Sequence, residues 1–161
     1  MSFLRHPLIA TFVMISMGCT ATSSRDADPT RQPWRDSWDA LPAAKAGDSE
    51  GLHRLFAAAE SQLELPYVNA GEDAEAIYEN MGVVLESIGD RRFSEALLRE
   101  DPQTRSAARE FISQEKVREE FPRTHQILVE APSVEWPSDQ VEAQWHIEQG
   151  KAPPPKERWT R

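Results

Sequence analysis

Between Leu52 and Leu128 apolar residues recur at steps of three and four, and each run is punctuated by glycine, proline or an aspartate suited to capping. That spacing lines apolar side chains along one side of a 3.6-residue helix, so the chain is committed to helices that bury a stripe against one another. The first run is Leu52, Leu55, Phe56, Ala59 and Leu63, and the second and strongest is Ala74, Ile77, Tyr78, Met81, Leu85 and Ile88. Phe93, Ala96, Leu97 and Leu98 follow, then Ala107, Ala108, Phe111 and Ile112, and finally Val117, Phe121, Thr124 and Leu128. The sequence therefore predicts an all-α fold, a small antiparallel bundle of about five helices.

The punctuation places the helix ends. Asp48 or Ser49 can accept hydrogen bonds from the free amides of a first turn, and Asp101-Pro102 reads as an N-cap followed by proline at the first helical position. Pro122 lacks an amide hydrogen and does least harm in a first turn, which predicts a helix start near Phe121. Gly71 acts as a hinge before Glu72 and Asp73, whose charges suit the positive end of the next helix. Gly89 is expected to terminate that helix in the left-handed conformation, with Asp90 capping the short helix after it. Gly82 lies inside the strongest stripe, where glycine costs about 1 kcal/mol relative to alanine, and is expected to allow a close helix approach. Gly47-Asp48 and Gly89-Asp90 stand 42 positions apart. This falls within the period of about 40–47 residues found in HEAT and armadillo helix pairs, so a helix-pair array stays open beside the bundle.

The flanks have a different character. Residues 19–47 are rich in Ser, Thr, Asp, Arg and Pro without sustained periodicity and read as a flexible tether, in which Trp34 and Trp38 share one side of a helical turn over 35–40. Residues 48–131 form the helical domain. Residues 132–161 carry Trp136, Trp145, Trp159 and Pro153-Pro154-Pro155, a tryptophan- and proline-rich extension. All five tryptophans of the chain lie in these flanks. The first four are expected to fold back onto the helices.

Residues 1–18 have the parts of an export signal: Arg5 and His6, an apolar run over 7–17, and small Gly18. A helix of about a dozen residues reaches about 18 Å, short of the ~30 Å hydrocarbon core, so the run does not read as a permanent span. Cys19, the single cysteine of the chain, stands where the run ends. At Met17-Gly18-Cys19 the leader resembles the lipobox of bacterial lipoproteins, with Ser16 where an aliphatic residue is usual. The resemblance implies that Cys19 is the lipid-attachment residue and becomes the N-terminus after cleavage. It further implies a protein anchored to the cell envelope through that lipid, and Thr20 after the cysteine favours the outer membrane's periplasmic leaflet. More than one acyl chain would make the attachment effectively permanent.

The net charge of −9 excludes a nucleic-acid surface, which needs clustered Lys and Arg, and equally a polybasic grip on anionic lipid heads. It suits a basic protein partner. No nucleophile elbow, phosphate-cradling glycine loop or metal-spaced cluster of His, Cys and acids is present, so no catalytic residue, metal or cofactor is assigned. His53 lies alone beside the first stripe. Glu60 with Glu64, and Glu115 with Glu119 and Glu120, read as solvated helix faces. The leading functional reading is a lipid-anchored, non-catalytic helical module with a protein partner in the envelope. An inhibitor or immunity-type lipoprotein that binds a basic periplasmic enzyme or toxin comes second, and an enzyme acting on wall glycan third.

Overall fold

The computed structural model describes residues 32–65 and 71–153, so the leader, Cys19 and Trp159 lie outside the described residues. Among the described residues the regular structure is entirely α-helical. The helices are α1 (Pro33–Lys45), α2 (Ser49–Leu63), α3 (Glu72–Leu97), α4 (Pro102–Glu110), α5 (Gln114–Glu120), α6 (Pro122–Glu130) and α7 (Pro137–Glu148). The all-α class is as expected, but there are seven helices among the described residues instead of about five. The second and third apolar runs join in α3, which turns sharply at Gly89 with φ 78° and ψ 165°. The last run divides at Phe121, whose non-helical φ of −131° and ψ of 63° separates α5 from α6. Helices α1 and α7 come from the flanks.

Several helix starts follow from the residues that cap them. The Asp48 carboxylate accepts the Gly51 amide at 2.8 Å, and the Asp101 carboxylate accepts the amides of Gln103 and Thr104 at 2.7 and 3.0 Å. Pro122 opens α6 as its missing amide requires. Asp90 departs from expectation. Its two oxygens accept the amides of Arg123 and Thr124 at 3.0 and 2.8 Å, so it caps α6 rather than the segment it begins. The turn at Gly89 re-aims the chain and carries the carboxylate to a neighbouring helix start.

Helix α1 packs on α2 and α3, α2 packs also on α3, α4 and α7, and α6 packs on α3, α4 and α5. Their buried faces meet around Leu55, Phe56, Ile77, Met81, Leu85, Phe93, Leu97 and Leu128. Phe56 and Phe93 meet edge to face with centroids 5.3 Å apart, the arrangement that aromatic quadrupoles favour. The α1–α2 contact is unusually close. A β-carbon at Gly51 would stand 2.6 Å from both Ala43 Cβ and the Ala44 backbone nitrogen, so only glycine fits there.

The helical body extends beyond residues 48–131 at both ends. Where a flexible tether is expected over 19–47, Pro33–Lys45 is a helix that buries Pro33, Ser37, Ala40 and Ala44. Short side chains let it lie close to α2, and a buried polar link joins it to α3, since Asn80 Nδ2 donates to Ser37 Oγ at 3.0 Å. On the other side, Trp136 is buried to 1% exposure in the main core. Trp34 packs partly against that core, whereas Trp38 and Trp145 remain 48% and 46% exposed. Fold-back therefore holds for two of the four tryptophans for which it is expected.

Candidate functional site

The second apolar run carries more than the core needs. Ile77, Met81, Val84 and Leu85 turn inward, while Tyr78 and Val83, on the same helix, stay 45% and 38% exposed. Both line a groove of about 400 Å³ formed by Tyr78, Glu79, Gly82, Val83, Leu85 and Glu86 of α3 and by residues 111–113, 116 and 117 on the other side. Phe111 and Ile112 close the end of α4, and Ser113 caps α5 by accepting the Lys116 amide at 3.4 Å. The groove is the space between α3 on one side and the end of α4 with the start of α5 on the other.

Charge is confined to the rim. Lys116 Nζ donates to Glu86 Oε1 across the groove. That bond raises the pKa of the Lys116 ammonium; slight burial opposes it, and the charges of Glu86 and Glu120 with Tyr78 add to the rise. Glu79 is exposed and has no partner among the described residues. The floor is Gly82, at which a β-carbon would meet nothing within 4 Å among the described residues. The close helix approach expected at Gly82 is therefore absent there; it occurs at Gly51 instead. The groove is mostly apolar with one fixed ion pair and one unpartnered carboxylate, an arrangement suited to binding apolar side chains rather than to bond chemistry.

A second depression, of about 310 Å³, is polar. Ala46, Gly47, Ser49 and Leu52 line it at the start of α2, and Arg92, Glu95, Ala96 and Arg99 line it from α3 and the turn after it. Glu95 also faces Arg91 at 3.8 Å.

The residues singled out in the sequence fall elsewhere. Cys19, the expected lipid-attachment residue, lies outside the described residues. His53 Nδ1 stands 2.9 Å from Glu100 Oε2, an exposed link between α2 and the segment leading into α4. Glu60 accepts the Thr104 hydroxyl at 2.6 Å, tying α2 to α4. Neither residue faces a cavity with catalytic partners. Among the described residues no group of three or more His, Cys, Asp or Glu is placed to hold a metal ion, and no helix is long and apolar enough to cross a membrane. The groove itself escapes sequence reasoning, although Gly82 inside the strongest stripe is its one visible signal.

No protein-family model, curated protein or solved structure matches the chain.

Proposed function

We propose that this is a lipid-anchored protein of the bacterial cell envelope whose helical body is a non-catalytic interaction module. In this reading Cys19 carries the lipid, the outer membrane's periplasmic leaflet holds the anchor, and the groove between α3 and α5 receives a segment of a protein partner. The observation that carries the interaction reading is the groove, where Tyr78 and Val83 remain exposed beside a glycine floor and an unpartnered Glu79. Apolar surface gathered into a concave place and rimmed by charge is the usual form of a binding surface, unlike apolar residues scattered singly. The address rests on the leader and on the position of the single cysteine.

We further read the body as a closed bundle rather than a helix-pair array. Helix α2 touches α1, α3, α4 and α7, so it sits among elements from nearly the whole described chain, whereas a repeat unit touches only its neighbours in sequence.

Two measurements test the proposal. The N-terminal fragment of protein taken from membranes should carry acyl mass on Cys19, and an unmodified thiol or a cut at another bond would overturn the address. A photo-crosslinking side chain at Val83 in the native envelope should give one discrete protein adduct that Gly82→Leu abolishes. The same group at exposed Arg54 should not give it. Equal labelling from both positions would remove the groove from the proposal.

A further inference from the structure

Gly82 sits in the eleventh position of a 26-residue helix, where glycine destabilises by about 1 kcal/mol relative to alanine. Two ordinary reasons for glycine in such a place are a positive φ and a close backbone approach. Neither applies among the described residues, since Gly82 is not among the positive-φ glycines and a β-carbon on it would meet none of them within 4 Å. What the missing side chain does is leave the groove floor empty. Leucine or methionine there would keep the apolar stripe and fill the groove from within.

The size and charge of that space describe what fits it. The α3 wall runs from Tyr78 to Glu86, about 12 Å or two turns of helix. Two large apolar side chains one turn apart, as an amphipathic helix presents them at i and i+4, stand about 6 Å apart and fit within that length. The rim has one cation, Lys116, already engaged by Glu86, and one carboxylate, Glu79, with no partner among the described residues. An added cation is therefore welcome near Glu79. An added anion would meet the unpaired carboxylate on a chain of net charge −9.

Resting on the interaction reading above, we infer that the groove takes an amphipathic helical segment of a partner protein, which inserts two apolar side chains over Gly82 and sets a Lys or Arg against Glu79. The partner class is thus a basic, amphipathic helix.

The test uses the full chain in lipid nanodiscs and three fluorescent peptides of about 18 residues, long enough to become helical. Each carries two leucines four positions apart, with Arg, Gln or Glu one turn away, and binding is read by fluorescence anisotropy. The Arg peptide should bind about tenfold more tightly than the Glu peptide, and Glu79→Gln should shrink that ratio to about threefold or less. Gly82→Leu should weaken all three by about tenfold or more while circular dichroism shows unchanged helix content. Equal binding of Arg and Glu peptides overturns the basic partner but, where Gly82→Leu still abolishes it, leaves the interaction reading standing. Binding that survives Gly82→Leu overturns the groove as the place of docking. No binding by any peptide overturns the helical partner, and if the Val83 photo-crosslinker also yields no adduct the interaction reading falls with it. Occupation by a second copy would appear as dimerisation abolished by Gly82→Leu. Occupation by residues 154–161 would appear as peptide binding gained on their deletion, and either result overturns the partner proposed.

Discussion

Asp90 Oδ1 accepts a hydrogen bond from the Thr124 amide at 2.8 Å, and Oδ2 accepts one from Arg123 at 3.0 Å, so the start of α6 is capped by a residue more than thirty positions earlier. Helix starts leave amides without intrahelical partners, and an aspartate that satisfies two of them removes a desolvation cost. Pro122 supplies no amide and Phe121 makes no side-chain cap, so α6 has no local substitute. Asp90→Ala should cost about 1 kcal/mol in urea unfolding, within the ~0.5–2 kcal/mol span of N-cap losses. Hydrogen exchange should quicken at Arg123 and Thr124. Quickening confined to the amides just after Asp90 would mean that it caps its own segment.

The two helical glycines Gly51 and Gly82 should respond in opposite directions to alanine. At Gly51 the new methyl would meet Ala43 Cβ and the Ala44 nitrogen at 2.6 Å, and backbone cannot swing aside as a long side chain can. Gly51→Ala should destabilise by about 1–3 kcal/mol through overpacking, despite alanine's better helix propensity. Gly82→Ala meets nothing within 4 Å among the described residues and should stabilise by about 0.5–1 kcal/mol. Thermal melts of the two variants should move apart on either side of the parent, and shifts of the same sign would refute the packing described at one of them.

Much of this architecture is legible in the sequence, for identifiable reasons. Steps of three and four mark Leu52 to Leu63 and Ala74 to Ile88 as buried stripes, and Asp48, Asp101 and Pro122 sit at helix ends because their chemistry is local, while Gly89, expected to end a helix in the left-handed conformation, instead makes the sharp turn inside α3. Asp90 is legible as a cap but its target is not, since the amides it satisfies are brought near by the turn at Gly89. Helix α1 hides because its buried face is Ser37, Ala40 and Ala44, small residues with little hydropathic signal, and because Pro42 speaks against a helix. The groove hides for a deeper reason. It is made by what Gly82 lacks and by residues 111–117 being brought beside α3, and neither is a pattern along the chain.

Acid should loosen the start of α4. Burial pushes the Asp101 carboxyl up, but hydrogen bonds from the Thr104 amide and hydroxyl and the Gln103 amide, helped by Arg105, outweigh it and hold the pKa below the ordinary 3.8. Because the folded-state value is depressed, the stabilisation is complete above the unfolded value and is lost as pH falls through the folded one. Asp101→Ala should therefore be less stable than the parent by about 1 kcal/mol at pH 6. The gap should narrow as the pH falls below about 4. Denaturant midpoints across that range would decide it, and a gap that widens in acid would contradict the sign.

Trp136 tests whether the C-terminal flank is part of the core. It is 1% exposed and is fixed at the start of α7 by its backbone amide, which donates to Asp139 Oδ2 at 2.7 Å. Its indole Nε1 is buried without a hydrogen-bond partner among the described residues. The ring therefore contributes through apolar contact and carries an uncompensated polar group. Trp136→Ala should cost about 3–5 kcal/mol, as for other large buried aromatics. Trp136→Phe keeps most of the ring's contact and removes the orphaned N–H, so its cost should be less than half as large, the lost volume being offset in part by the removed desolvation penalty. Urea unfolding followed by circular dichroism measures both. Losses under about 0.5 kcal/mol in both variants would show that the flank is dispensable to the fold, while a Phe variant as damaged as the Ala variant would mean that the indole N–H has a partner after all.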